Sequence, residues 1–112
     1  MKFCKVLLNG DVLFERARMM NSFFERLSGL MFKKEIAADA LVFKDAGWIH
    51  SFFCVIPFNA LFIGKDFKIL NHFTKINKNK ILPPVLNAKY TIEYIREPLK
   101  ISLNDKIEII EA

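Results

Sequence analysis

Short apolar runs separated by turn residues are the dominant pattern of the chain from residue 41 onward. Near the carboxyl end, Tyr90, Ile92 and Tyr94 alternate with Thr91 and Glu93, which is the two-residue period of a β-strand whose two faces differ in burial. Asp, Asn, Gly and Pro residues, which favour turns, separate the runs. The pattern predicts strands near residues 41–44, 48–54, 59–63, 67–74, 89–95 and 106–110.

The amino-terminal third adds a hairpin and a helix. Asn9-Gly10 lies between KVLL and DVLF, and both residues tolerate the positive φ angles of a two-residue primed turn, so we expect the chain to open with a β-hairpin. Ser22 and Glu25 have capping-box spacing, and Gly29 can end a helix in the left-handed conformation. We therefore predict one short α-helix near residues 22–29.

Eight short strands and one helix are typical of a mainly-β protein, either a β-sandwich or a barrel. A chain of 112 residues, of which 53% are apolar and twelve are phenylalanine, has enough apolar side chains for one hydrophobic core. The sequence contains no internal repeat and no linker between domains. We expect residues 1–112 to form a single domain.

The formal net charge of +5 is concentrated in one segment. Five lysines stand there against one acid, Asp66, which gives a local net charge of +4; they are Lys65, Lys68, Lys75, Lys78 and Lys80. Aromatic residues lie between the lysines, as on some nucleic-acid-binding surfaces. We favour a solvated hairpin with inward-facing aromatics, and keep nucleic-acid binding through residues 65–80 as the alternative.

The amino-terminal segment MKFCKVLLNGD has too short an apolar run for a signal-peptide core, and no stretch of the chain has eighteen apolar residues in a row. We therefore expect a cytoplasmic protein without a membrane span. Cys4 and Cys54 are fifty residues apart and belong to no CxxC pair, which favours reduced thiols over a disulfide or a zinc site. We predict no metal and no cofactor.

Two stretches together resemble a known family of bacterial and archaeal proteins. RLSGLMF, residues 26–32, is similar to an Arg-x-x-Gly-Leu-Met signature, and HSFFCVIPFNALFI, residues 50–63, is similar to an aromatic-rich segment that ends in Pro-hydrophobic-Asp. With Glu93 and Asn104-Asp105 the similarity extends from about residue 10 to 110. The family is the one called domain of unknown function 192. The resemblance implies a compact, jelly-roll-like β-sandwich with a short helix, and it implies no established activity.

The chain departs from the family pattern at several positions. It has Cys54 where Met is common, Asn59 where Asp is common, Asn104 where Gly precedes the late Asp, and Glu97 where Gly follows the acidic strand. An amide cannot act as a general base near neutral pH, and it has no charge to hold a metal. Any family activity that required a carboxylate at position 59 would be absent from this chain.

We predict a ligand-binding site where the helix end meets the strand broken by Pro57. The candidate residues are Arg26, Met31, Trp48, His50, Cys54 and Asn59. Arg26 would anchor an anionic group, Trp48 and His50 would form the walls, and Asn59 would lie near the rim. Structural roles remain open for each: Arg26 can pair with a carboxylate such as Glu93, and the stripe through Trp48 can be core.

A hydrolase that uses Cys54 and His50 is a further alternative, because a thiolate beside an imidazole can perform acyl transfer. Residues four apart on one strand are separated by roughly 13 Å of backbone rise, which is too far for a hydrogen bond. We predict no catalytic residues. The sequence favours a binding or accessory module for a small ligand or a protein, with an oligomeric state that its residues do not determine.

Overall fold

The computed structural model describes residues 2–20, 38–44, 57–77, 85–95 and 97–111. These ranges contain seven β-strands and no helix. The strands are β1 (Lys2–Leu8), β2 (Asp11–Met20), β3 (Ala40–Lys44), β4 (Phe58–Gly64), β5 (Ile69–Ile76), β6 (Ala88–Tyr94) and β7 (Ile107–Glu111).

The mainly-β architecture predicted from the alternating pattern is confirmed. Five of the six strands predicted from residue 41 onward match β3 to β7, with ends that differ by up to two residues. The sixth, near 48–54, and the helix near 22–29 lie outside the described residues.

The opening hairpin is also confirmed, and its turn is tied to the far end of the chain. Asn9 has a φ of 50° and Gly10 a φ of 92°, which are the positive values of a two-residue primed turn. The Asn9 backbone N–H donates to the Lys106 carbonyl at 2.8 Å. The Lys106 N–H donates to the Asn9 side-chain oxygen at 2.9 Å. The turn therefore fixes the approach to β7 as well as the hairpin.

All seven strands belong to one mixed sheet with the order β5-β4-β6-β3-β2-β1-β7. The pairing of β2 with β3 is parallel and the other pairings are antiparallel. The two end strands meet, because the Ile107 N–H donates to the Phe67 carbonyl at 2.7 Å and the Ile69 N–H donates to the Asp105 carbonyl at 2.9 Å. Of the two predicted architectures, the described strands form a barrel.

The barrel has a buried interior, and part of its outer face is buried as well. Its interior cluster draws residues from every strand, among them Val6, Phe14, Val42, Leu61, Ile69, Ile92, Tyr94 and Ile107. A second cluster covers the outer face of β2 to β6 with Met20, Leu41, Phe43, Phe58, Ala60, Phe62 and Ile76. Because β4 contributes to both clusters, all seven of its residues are buried. This explains its nearly continuous apolar sequence.

Candidate functional site

A cavity of about 360 Å³ opens at one end of the barrel, where β2, β3, β6 and β7 meet the β4–β5 turn. We call this cavity the mouth. It is lined by Met19, Lys44, Phe67, Tyr90, Ile109 and Glu111. Met19 belongs to the interior cluster, is buried, and forms the floor of the mouth. Lys44 and Glu111 are the last residues of β3 and β7 and lie at its rim. The strand ends thus place apolar side chains deep in the mouth and charged side chains at its edge.

Two aromatic rings form one wall of the mouth. The centroids of Phe67 and Tyr90 are 5.7 Å apart and their planes are tilted by 32°. This separation lies within the range of attractive aromatic pairs. Phe67 stays 37% exposed, so a face of this large apolar side chain is in contact with solvent at the cavity.

The backbone of Phe67 adopts a conformation that a bulky residue rarely occupies. Residues 65–67 form a three-residue hairpin loop that is closed by the Gly64 N–H donating to the Lys68 carbonyl at 3.0 Å. The third residue of such a loop takes the left-handed conformation, for which glycine is the usual choice. Phe67 occupies it with a φ of 63°. Strained positions of this kind cluster at functional sites.

The charged residues of the mouth differ in sign. Lys44 is opposite Tyr90 in the register of β3 and β6. Glu111, on β7, forms an ion pair with Lys2 of β1 at 3.4 Å, and both side chains are half exposed. The charge of Glu111 therefore has a positive partner already, although exposed pairs of this type contribute little to stability.

Asn59 is the one member of the predicted ligand-binding set that the structure describes. It lies on β4, is 3% exposed, and donates from Nδ2 to the Tyr94 carbonyl at 3.3 Å. Its Oδ1 accepts the Lys75 N–H at 2.9 Å, where β5 bulges and Lys75 has a φ of 53°. These backbone bonds stabilise an irregular strand pairing.

The other predicted ligand-binding residues, Arg26, Met31, Trp48, His50 and Cys54, lie outside the described residues, so the proposed convergence around Arg26 stays a prediction. Of the lysine segment, Lys65, Lys68 and Lys75 are exposed, and Lys78 and Lys80 lie outside the described residues. Lys68 and Lys75 are separated by roughly 23 Å of strand rise. The described lysines are therefore distributed along β5 and its turn.

Glu93 is a buried carboxyl group that the candidate set omitted. It lies on β6 between Leu41 of β3 and Ala60 of β4, both of which belong to the outer-face cluster, and is 6% exposed. Burial raises the pKa of Glu93 to about 8, because removal from water disfavours the charged form. The carboxyl is therefore largely protonated at neutral pH.

A second polar group lies within the barrel. The Tyr94 side chain is fully buried, and its hydroxyl is 2.7 Å from His72 Nε2 and accepts the Leu99 N–H at 3.1 Å. Partial burial lowers the pKa of His72, which favours the neutral imidazole. These hydrogen bonds join β5, β6 and the segment that follows β6. The Tyr94 hydroxyl can be buried because it has hydrogen-bond partners.

A wider cleft of about 490 Å³ crosses the outer surface of β1, β2 and β7. Its polar side chains contact one another: Arg16 lies 3.9 Å above the Phe3 ring, and Lys5 pairs with Glu15 at 3.3 Å. Cys4 borders the cleft but is buried, and burial, followed by the charge of Glu111, raises the pKa of its thiol to about 11. The mouth differs from this cleft in having a wall of two paired aromatic rings, Phe67 and Tyr90.

The described ranges contain no group of three or more His, Cys, Asp or Glu residues arranged to hold a metal ion. They also contain no helix long and apolar enough to cross a membrane.

The amino-acid sequence relates the chain to a protein of an archaeon. It is 32% identical over 100 residues to UPF0127 protein PH1112 of Pyrococcus horikoshii, a match that covers 81% of this chain and 84% of that relative. The chain belongs to the UPF0127 family. No protein-family model matches it. The UPF0127 relative carries no stated activity in its name, so membership alone assigns no reaction.

Two crystal structures share the fold of this UPF0127 protein. One is a protein of unknown function from Novosphingobium aromaticivorans, with a TM-score of 0.72 and 22% identity over 95% of this chain and 83% of that chain. The other, from Sinorhizobium meliloti, is named a "putative transcription regulator", with a TM-score of 0.74 and 20% identity over 97% of this chain and 94% of that chain. At these identities the likeness concerns the fold alone.

Sequence reasoning did not find the mouth of this UPF0127 protein. Phe67 and Tyr90 are 23 positions apart, and Met19 and Glu111 lie near opposite ends of the chain. One local signal was present: GKDFK places a phenylalanine where a three-residue hairpin loop normally carries glycine. The remaining contacts depend on closure of the barrel.

Proposed function

We propose that this protein is a binding module that holds a small molecule in the mouth of its barrel. The observation that carries the proposal is the cavity of about 360 Å³, which has apolar side chains in its floor and walls and charges at its rim. Small-molecule sites in proteins measure roughly 300–1,000 Å³ and occur in the mouths of β-barrels, among other places. The proposal names no catalytic residue.

The strain at Phe67 supports the same function. Among the described residues, five residues other than glycine have a left-handed backbone, and three of them are Asn9, Asn87 and Asn104, as expected for a side chain that tolerates this conformation. Phe67 instead combines strain with an exposed aromatic face on the cavity wall. The backbone conformation alone would favour Gly or Asn at this position, whereas aromatic contacts, with Tyr90 within the protein and with a ligand on the exposed face, account for Phe.

Two neighbouring residues of β7 give a matched test. Ile109 lines the mouth, and Ile110 lies on the opposite face of the same strand and is 45% exposed. Ile109→Trp should fill the cavity, whereas Ile110→Trp makes the same change outside it. In a fragment screen followed by ¹H–¹⁵N NMR, fragments should shift the mouth amides of the parent and of Ile110→Trp but not those of Ile109→Trp. Fragments that shift no mouth amide of the parent would refute the proposal.

We also propose the finer family assignment, to domain of unknown function 192, because RLSGLMF and HSFFCVIPFNALFI resemble its motifs. This assignment adds a second candidate location for the ligand, at Arg26, Trp48 and His50. A thermal-shift screen of metabolites, nucleotides and metals at low salt tests it. A ligand that raises the midpoint of the parent but not of Arg26→Ala would identify this location, because binding to the native state stabilises it.

Nucleic-acid binding is the second candidate function, and the exposure of Lys65, Lys68 and Lys75 favours it. Phosphate contacts by lysines predict an affinity that falls steeply as salt is raised. Gel-shift assays without any low-salt binding to RNA or DNA would remove this candidate. The same lysines have a structural explanation, because charged side chains of an exposed hairpin are solvated by water.

A further inference from the structure

We infer that the ligand of the mouth is a flat aromatic molecule that carries a negative charge. The inference rests on the proposed binding function and specifies the chemistry that the site recognises. It draws on the ring geometry, the hairpin conformation, the charge distribution and the size of the cavity.

The wall formed by Phe67 and Tyr90 favours a flat ligand. The ring centroids are 5.7 Å apart at a tilt of 32°, and Phe67 is 37% exposed. A planar ring that enters the cavity can stack on the exposed aromatic surface with the offset geometry that aromatic pairs prefer. A saturated ring of the same size would contact the wall with its hydrogens and would lose the electrostatic part of this interaction.

The hairpin loop makes the aromatic wall more rigid than a surface side chain would be. The Phe67 N–H donates to the Gly64 carbonyl at 3.0 Å, and the Phe67 carbonyl accepts the Ile107 N–H at 2.7 Å. The Lys68 N–H donates to Asp66 Oδ1 at 3.1 Å, which stabilises the turn further. The loop and the barrel closure thus hold the backbone of Phe67 on both sides, and a preorganised wall loses little entropy when a ligand binds.

The charges around the mouth favour an anion. Among the described residues, Lys44 and Glu111 line the cavity, Lys2 pairs with Glu111, and the adjoining turn carries Lys65, Asp66 and Lys68. These four lysines and two acids give a local net charge of +2. A cation would be attracted to aromatic faces as well, but the positive excess of these residues would repel it.

The cavity sets the size of the ligand. A volume of about 360 Å³ corresponds to roughly a dozen water molecules at about 30 Å³ each. A two-ring aromatic carboxylate, which has about as many non-hydrogen atoms, is a suitable probe. Met19 on the floor can adjust to the shape of the rings, because its thioether side chain is flexible and polarizable.

The test compares three probes of similar size on the intact chain: 2-naphthoate, its saturated analogue decalin-2-carboxylate, and the cation 2-naphthylmethylammonium. Dissociation constants are measured at low salt by ¹H–¹⁵N NMR titration, which also reports whether the mouth amides shift. We expect 2-naphthoate to bind at least about fivefold more tightly than either of the other probes. A factor of this size corresponds to the free energy of one aromatic contact.

Two variants assign the contacts, each with a control on the outer cleft. Phe67→Leu should reduce the preference for 2-naphthoate over the saturated acid, whereas Phe3→Leu should not. Lys44→Gln should reduce the preference for 2-naphthoate over the cation, whereas Lys5→Gln should not. Dispersed NMR spectra confirm that each variant is folded.

Equal binding of the saturated acid would overturn the aromatic part of the inference, and equal binding of the cation would overturn its anionic part. Either result leaves the proposed binding function standing, because a ligand still enters the mouth. The absence of mouth shifts with all three probes overturns the inference as a whole. The wider fragment screen with Ile109→Trp then decides the proposed function separately.

Discussion

At the scale of single residues, Phe67 and Glu93 occupy environments that their chemistry disfavours. Phe67 holds a left-handed backbone that a bulky side chain destabilises by about 1–2 kcal/mol. Glu93 places a carboxyl group among apolar side chains of the outer-face cluster, where it favours the protonated form. The two side chains lie in different parts of the barrel, so their effects on stability can be measured independently.

Glu93 predicts a pH dependence of stability. In the unfolded chain a glutamate titrates near pH 4.5. In the folded protein the Glu93 carboxyl keeps its proton up to about pH 8. Between these values the folded state binds more protons, so the free energy of unfolding should fall as the pH rises, by up to about 1.4 kcal/mol per pH unit.

Urea denaturation from pH 4.5 to 8 tests this dependence. Glu93→Gln should remove the decline with rising pH because its amide does not titrate, and the exposed Glu97→Gln should retain the decline. A parent slope that Glu93→Gln leaves unchanged would refute the assignment to Glu93.

At the scale of secondary-structure elements, side chains correct the irregularities of the strands. Asn59 of β4 binds the bulged backbone of β5, and Asp39 accepts the Arg16 N–H at 2.9 Å where β3 begins beside β2. Tyr94 of β6 joins β5 to the segment that follows β6, through His72 and Leu99. These bonds hold elements together where the regular ladder does not.

The Tyr94 hydroxyl gives a prediction for this scale. Tyr94→Phe should lower the free energy of unfolding by about 1–3 kcal/mol, because the partly buried Leu99 N–H and His72 ring lose a hydrogen-bond partner. Equilibrium urea denaturation measures the change. Tyr90→Phe is the matched control and should change the free energy by less than about 0.5 kcal/mol. Equal effects of the two substitutions would contradict the role assigned to the Tyr94 hydroxyl.

The strands could be predicted from the sequence because their signals are local. The alternation at Tyr90, Ile92 and Tyr94 and the Asn9-Gly10 turn each depend on a few neighbouring residues. The mouth could not be predicted, because it joins Met19, Phe67 and Glu111 only after the sheet closes. Asn59 was found as a candidate from the Pro57 break, but its partners, Lys75 and Tyr94, come from long-range pairing.

At the scale of the whole molecule, barrel closure links the fold to the proposed site. The contact between β5 and β7 consists of short backbone hydrogen bonds at Phe67, Ile69, Asn104 and Asp105. Phe67 lies in this seam and also on the cavity wall. A barrel that opened at the seam would therefore displace one wall of the mouth.

Hydrogen exchange tests the closure. The amides of Ile69, Asn104 and Ile107 donate across the seam, so they should exchange only through global unfolding, with protection equal to the free energy of unfolding. The amide of Ile92 on the central strand β6 serves as the internal reference. Protection at the seam several kcal/mol below that of Ile92 would mean that the barrel opens locally.

The central claim is that Phe67 keeps its strained position because its ring binds the ligand. The measurement that tests it most directly is the stability of Phe67→Gly together with its affinity for 2-naphthoate. Glycine relieves about 1–2 kcal/mol of backbone strain but removes the ring packed on Tyr90. The free energy of unfolding should therefore stay within about 1 kcal/mol of the parent, while the affinity should fall at least about fivefold. Unchanged affinity, or a loss of several kcal/mol of stability, would contradict the claim.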